Sequence, residues 1–201
     1  MLVATGMGRN IELKARVRND FTAAHAAIQY LPAAYQGELW QRDVYFYCAE
    51  RKKNKDEEPE PGRLKLRGES LDGQVWDWSF IWYARPNVRK SKPSDYRIAP
   101  VAVPDPVALA ETLDAAWGKY AEVDKHRVVY LYQNIRIHLD EVVNLGRFIE
   151  FEAMINLEDE QPVAHENLKR LMNLFQIEDG DLIEISYGDI MRNEMYRLGR
   201  P

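Results

Sequence analysis

A single cysteine, Cys48, in 201 residues removes two kinds of architecture at once. No internal disulfide can form and no cysteine-cluster metal centre can be built, which fits a reducing, cytoplasmic compartment. Histidine is almost as scarce: His25, His126, His138 and His165 are scattered, without metal-binding spacing. Nowhere does an apolar run reach the length needed to cross a bilayer, and the first residues lack the basic start and apolar core of a secretory signal. Positive charge is not in excess either. The formal net charge of -5 disfavours nonspecific binding to nucleic acid or to an anionic membrane, so any anion site must be a local concentration of basic residues. A glycine-rich loop of the G-x-x-x-x-G-K-[ST] type is missing, which excludes holding a polyphosphate at a helix terminus in that way. No serine-histidine-acid or cysteine-histidine set stands out.

What the chain does hold is an ordinary soluble balance, 46% hydrophobic and 29% charged, with enough length to bury one core. We read residues 1–9 as a short leader, with Met7 as an alternative start, and residues 10–201 as a single domain. No internal repeat or low-complexity break divides it.

The stretch I-R-I-H-L-D-E-V-V-N-L-G-R-F-I-E-F-E at 135–152 carries the strongest pattern. Arg136, His138 and Asp140 alternate with Ile135, Ile137 and Leu139; beyond a turn, Glu150 and Glu152 alternate with Ile149 and Phe151. Side chains along a strand point to opposite faces in turn, so the charges share one side and the apolar groups the other. Any half-buried antiparallel strand can show that alternation. Clustered carboxylates, however, repel unless a cation lies among them, and oxygen ligands without cysteine favour a hard divalent ion such as Mg2+ or Mn2+.

In chain order, residues 10–18 read as a strand with Glu12, Lys14 and Arg16 on one face. Asn19 or Asp20 can cap a helix running to Leu31. An aromatic-rich strand is expected over 38–48, then a charged, proline-containing solvated loop over 50–62. Arg63, Lys65 and Arg67 alternate with Leu64 and Leu66. Three cations on one face suit either an anion or the guarding of a sheet edge. Asp72-Gly73 signals a hairpin into a strand over 74–84. A basic loop at 85–94 is of the kind that carries ligand contacts, and a short strand at 96–103 follows it. The helix expected over 104–120 presents Val107, Leu109, Ala110, Leu113 and Trp117 to the core. A strand over 123–133 bears Lys125 and Arg127 on one face. A helix at 166–175, a last strand at 182–185 and a helix at 188–198 complete the chain.

Several strands thus carry charges at alternate positions, while their other faces need cover from the helices. That combination places helices outside and charges inside. A closed antiparallel barrel of about eight strands is wide enough for side chains or one small ligand, and its interior can be polar if the ligand is charged. Lys14, Arg63, Lys65, Arg67, Lys125, Arg127 and Arg136 would bind anionic oxygens there, and Glu12, Asp140, Glu150 and Glu152 would hold a divalent cation. A lumen with both signs suits a metal-bound polyphosphate, because the metal bridges carboxylates to phosphate oxygens.

These residues resemble the CYTH, or triphosphate tunnel metalloenzyme, superfamily over nearly the whole chain. Asn10-Ile11-Glu12-Leu13-Lys14 occupies the place of its E-x-E-x-K signature, and the G-R-L-K-L-R run at 62–67 is similar to its basic strand. Lys125 with Arg127 resembles its K-x-R strand. Arg136 to Asp140, Leu145-Gly146 and Phe148 to Glu152 resemble its metal-binding hairpin, and Ser94-Asp95-Tyr96 a segment of the class IV adenylyl cyclase-like branch. The resemblance implies an α+β fold, a closed antiparallel eight-stranded tunnel with helices packed outside. It implies catalytic roles for Lys14, Lys125 and Arg136, substrate contacts from Arg63, Lys65, Arg67, Lys125, Arg127 and Arg136, and Mg2+ or Mn2+ on the four acids. A nucleoside or inorganic triphosphate is the expected partner, and a homodimer is compatible. Conversion of ATP to cyclic AMP and pyrophosphate is the favoured reaction; hydrolysis of inorganic or thiamine triphosphate, or binding without turnover, are the alternatives. One departure bears on all three: Asn10 stands where the signature has its first glutamate.

Overall fold

The computed structural model describes residues 6–48, 62–156 and 160–199. The loop expected over 50–62 lies, Gly62 apart, outside the described residues, as does the start of the expected leader. Eight strands form one closed antiparallel barrel: β1 (Gly6–Val17), β2 (Ala34–Phe46), β3 (Gly62–Ser70), β4 (Asp77–Ala84), β5 (Lys92–Val101), β6 (Lys119–Tyr132), β7 (Ile135–Val142) and β8 (Gly146–Ile155). Around the barrel the order is β1-β5-β4-β3-β2-β6-β7-β8. Four helices, α1 (Thr22–Gln29), α2 (Pro106–Trp117), α3 (Gln161–Leu174) and α4 (Tyr187–Arg197), pack outside it. No helix among the described residues is long and apolar enough to cross a membrane.

Alternation decides which way each strand faces. Ile11, Leu13 and Ala15 of β1, Ile135, Ile137 and Leu139 of β7, and Ile149, Phe151 and Ala153 of β8 are buried under Ala24, Ala27 and Ile28 of α1 and Ala164, Leu168 and Leu171 of α3. With the apolar row committed to the helices, the charged residues between them can only point into the barrel. Elsewhere Leu113 of α2 joins Val44, Phe46 and Leu66, and Tyr187 at the start of α4 joins Tyr45, Val123 and Phe148.

Local chemistry fixes the connections. Asp105 accepts hydrogen bonds from the backbone N–H groups of Val107 and Ala108 and caps α2. Asp20, expected as a cap of α1, accepts a hydrogen bond from the Thr22 backbone N–H at 2.9 Å, but the N-cap position falls on Phe21, whose side chain makes no capping hydrogen bond. Ser186 and Asp189 cap α4 reciprocally, each side chain taking the other's backbone N–H. At the expected hairpin, Asp72 Oδ1 accepts from Gln74 and Val75, and Gly73 takes φ +74°.

Several boundaries differ from expectation. Strand β1 starts ahead of Asn10, because Gly6 to Arg9 pair with Ile98 to Asp95 of β5. Strand β5 in turn starts at Lys92, inside the expected loop. Residues 182–185 form no strand; Leu182 makes one isolated bridge to Ala15. Helix α2 buries Leu113 alone, leaving Val107 65% and Trp117 51% exposed: its two ends carry these side chains past the apolar cluster instead of into it.

Candidate active site

The barrel encloses a cavity of about 400 Å³, within the range that holds a small organic ligand. Its two ends differ. Near the ends of β3 and β5, Leu39, Leu71, Val75, Ile81, Ile98 and Val129 line the outer half together with Glu69, Ser70, Asp72, Asp77 and Ser79, with Tyr96 beside them. At the opposite end the start of α4 lies across the barrel. Ser186 and Tyr187 reach the cavity wall there, and Gly188 presses on the ring of Tyr45 so closely that an added Cβ would stand 2.8 Å from Cγ. Between the two lies a band of charge.

Seven cations line this cavity: Lys14, Lys65, Arg67, Arg85, Lys125, Arg127 and Arg136. Each is held by a buried or partly buried carboxylate. Glu150 takes Lys14 Nζ at 3.1 Å and Arg127 Nη2 at 2.8 Å. Asp140 is gripped by Arg127 through both oxygens, at 2.6 and 2.7 Å, and accepts the Tyr187 hydroxyl at 2.7 Å. Arg136 meets Glu152 at 3.0 Å and Arg85 meets Glu12 at 2.5 Å. On the far wall Asp43, with no exposed surface, takes Lys65 at 3.0 Å, Lys125 at 3.1 Å and Arg67 at 2.6 and 2.7 Å.

Burial and pairing set the charge states. Burial alone would raise the carboxyl pKa of Asp43, but Arg67, Lys125 and Lys65 hold it well below the usual range. Glu150 is likewise held well down, against its burial, by Lys14, His138 and Arg127. Glu152 and Asp140 are lowered, again against burial, chiefly by Arg136 and by Arg127. The lysines move the other way. Burial, with Arg67 pushing in the same direction, brings Lys65 down to about 7 in spite of Asp43. Lys125 falls to about 8, again mainly through burial. The carboxylates are therefore ionised while the lysines are short of counter-charge, a poise that favours an incoming anion.

Glu150, Glu152 and His138 each bring a ligand atom within 4.8 Å of the others. Buried His138 Nδ1 has no hydrogen-bond partner, and burial, with Arg127 acting in the same sense, depresses the imidazole pKa and keeps the ring neutral enough to offer a lone pair. Two carboxylates and an imidazole fit a divalent cation.

The sequence-based residues divide into two groups. Glu12, Lys14, Lys65, Arg67, Lys125, Arg127, Arg136, Glu150 and Glu152 all line the one cavity, and β1 aligns Glu12 with Glu152 and Lys14 with Glu150. Two others sit apart. Arg63 faces Asp189 of α4 at 2.7 Å and Asn87 at 2.7 Å. Asp140 is paired with Arg127 and Tyr187, does not line the cavity and lies outside the His138, Glu150 and Glu152 group. Four members were not singled out from sequence: Asp43, Arg85, His138 as a ligand, and Tyr187. His138 was legible as part of the alternating R-I-H-L-D run; the others depend on partners far along the chain.

A closed eight-strand barrel with a cation-lined, acid-bearing lumen defines the class of tunnel proteins built to surround an anion. The chain belongs to the CYTH domain family, whose pattern matches residues 8–187. No curated protein is matched. Among solved structures it is similar to a protein from Pyrococcus horikoshii OT3, with 20% identity, a TM-score of 0.72 and coverage of 92% of this chain and 99% of that one. A candidate adenylate cyclase from Vibrio parahaemolyticus has 19% identity and a TM-score of 0.64 over 94% of this chain and 98% of that one. A Hippeastrum protein described as a candidate adenylyl cyclase with a dominant triphosphatase activity has 13% identity and a TM-score of 0.53 over 96% and 97%. At such identities these likenesses concern the fold.

Proposed function

We propose that the tunnel takes an organic triphosphate phosphates first, and that the protein is a metal-dependent enzyme of the class IV adenylyl cyclase type acting on ATP. One observation carries the reading: a single cavity is lined by seven cations and, towards its mouth, by the side chains of Leu39, Leu71, Val75, Ile81, Ile98 and Tyr96, interspersed with Glu69, Asp72 and Asp77. Inorganic triphosphate has no use for the apolar side chains, whereas a nucleoside does.

Lys14, Lys65, Arg67, Lys125, Arg127 and Arg136 would neutralise the phosphate oxygens and hold the chain extended; Arg127 and Arg136 offer planar forks that lysine cannot. Glu150, Glu152 and His138 would hold Mg2+ or Mn2+, with Glu12 beside them; imidazole in the set suits Mn2+ better than Mg2+. A divalent ion held there would supply positive charge against that developing on the phosphate oxygens. In cyclisation the 3′-hydroxyl gives up its proton to solvent, its oxygen bonds to the α-phosphorus as the bond to the pyrophosphate oxygen breaks, and in-line positioning within a rigid barrel would supply much of the rate.

A second reading, hydrolysis of a terminal phosphate, is supported by the triphosphatase activity ascribed to the Hippeastrum relative, since the same cations and metal serve either attack. The replacement of glutamate by Asn10, whose buried Oδ1 has no partner, gives a motive for a third, binding without turnover. Phosphorus NMR of the protein with ATP, and separately with inorganic triphosphate, in Mg2+ and then Mn2+, separates them. Cyclic AMP with pyrophosphate supports the cyclase, orthophosphate the hydrolase, and line broadening without products the binding module. Glu150→Gln should lower metal-dependent turnover by about a hundredfold or more; wild-type turnover in that variant would overturn the metal assignment.

A further inference from the structure

Asp43 poses a problem that the proposed reaction leaves open. An anion at the centre of an anion-binding wall opposes the ligand, yet this one is fully buried and collects three cations. It does not line the cavity: Lys65, Arg67 and Lys125 do, and Asp43 stands behind them. We propose that Asp43 is a positioning residue for the triphosphate, holding Lys65, Arg67 and Lys125 together as one cationic group on the tunnel wall. The proposal rests on the reading of the tunnel as a triphosphate site.

Topology makes the convergence possible. Strand β2 lies between β3 and β6, and Asp43 is registered opposite Arg67 on one side and Val123 on the other, two positions from Lys125. Its two oxygens accept all four hydrogen bonds from the three side chains, all within 3.1 Å. Without a negative charge at their hub, two lysines and an arginine converging on one point would repel, and long lysine stems would turn elsewhere or lose their protons. Other groups face this hub and would still act in its absence. Tyr45 and Tyr83 present their rings to Lys65, Tyr187 presents its ring to Lys125, and Glu69 lies 3.8 Å from Arg67. Arg127 and Asp140 act on Lys125 with opposite sign. None of them touches both lysines as Asp43 does.

The expected signature is a displaced pH dependence. The wild-type lysines lose their protons near 7 and 8, so affinity for a polyanion falls as the pH rises through that range. Asparagine at position 43 removes an opposite charge at contact distance, which lowers both lysine pKa values by about one unit or more. The fall-off then moves down by about that much, and near neutral pH the affinity drops about tenfold.

The test is calorimetric titration of the full chain with inorganic triphosphate, without metal, from about pH 6 to about pH 9. A downward displacement in Asp43→Asn supports the proposal. Uniform weakening at every pH, with the fall-off unmoved, would show a packing role only and overturn it. Should Asp43→Asn fail to fold, Lys125→Met is compared with Asp43→Asn/Lys125→Met, which removes one cation together with its counter-charge. The same displacement, now from Lys65 alone, is expected there, and its absence overturns the proposal. If the wild type shows no saturable binding, the triphosphate reading itself fails and takes this one with it; binding by the wild type with an unmoved variant sinks the Asp43 role alone.

Discussion

Tyr96 rests on Gly8. An added Cβ on that glycine would overlap the tyrosine ring, so the missing side chain is what lets the ring lie flat against β1 at the mouth. On the proposed reading of the tunnel as a nucleoside triphosphate site, the planar ring of Tyr96 is a platform for the base. Aromatic stacking of this kind is worth roughly 1–3 kcal/mol per base by alanine substitution. Tyr96→Ala should therefore raise KM for ATP about tenfold while leaving KM for inorganic triphosphate unchanged, and Tyr96→Phe should behave as wild type. Steady-state kinetics with both substrates checks this; equal loss on the two would make Tyr96 a packing residue. The resemblance pointed to Tyr96 through the S-D-Y run, but Asp43 stayed invisible. A lone acid in the aromatic run around Tyr45 and Phe46 reads as an ordinary strand residue, because its meaning lies in Lys125, 82 positions away. Arg85 and Tyr187 were hidden for the same reason, their partners Glu12 and Asp140 being distant in sequence.

Helix α4 is held by contact with the barrel end. Gly188 meets the Tyr45 ring face to face, and Asp189 fastens Arg63. Two effects oppose each other in Gly188→Ala. Alanine favours a helix over glycine by about 1 kcal/mol, but its Cβ would come within 2.8 Å of Cγ, the fixed end of a ring that is only 2% exposed. Overpacking costs about 1–3 kcal/mol, so the net expectation is destabilisation, visible as a lower denaturant midpoint; a raised midpoint would mean that α4 docks loosely. The existence of these elements was legible from strict alternation in R-L-K-L-R and R-I-H-L-D, and that of α2 from the apolar spacing that includes Leu113. Their limits were not. Nothing in 182–185 distinguishes a strand from an extended segment that meets β1 once, and the stripe along α2 gives no sign of where the sheet beneath it stops.

At the scale of the whole molecule, a barrel filled with charge has a stability that follows pH. Burial lowers Lys65 and Lys92 to about 7 and Lys125 to about 8. Between those values and the ordinary lysine range, the unfolded chain binds more protons than the folded one, so stability rises with pH. That contribution is fully present above the unfolded lysine pKa and is lost as the pH falls through about 8 and then 7. The depressed carboxyls of Asp43 and Glu150 act in the acid range, stabilising the fold above the ordinary carboxylate pKa and ceasing to do so as acid protonates them. The ligand-free protein should accordingly melt at a higher temperature near pH 9 than near pH 7, and saturating inorganic triphosphate should reduce that difference by stabilising the protonated lysines. Differential scanning calorimetry decides it; a flat profile from 7 to 9 would show that the lysines are better compensated than their burial implies.

The same barrel, with α4 lying across one end, also imposes an order in time. Among the described residues, Ser186 and Tyr187 stand at that end, and for a ligand that enters and leaves past Tyr96 at the other end the portion that enters first departs last. If a nucleoside triphosphate goes in tail foremost, the organic product clears the mouth before the phosphate product can follow. Added pyrophosphate would then occupy the emptied barrel and compete with the next substrate, and turnover would be governed by how readily the deep cations let go.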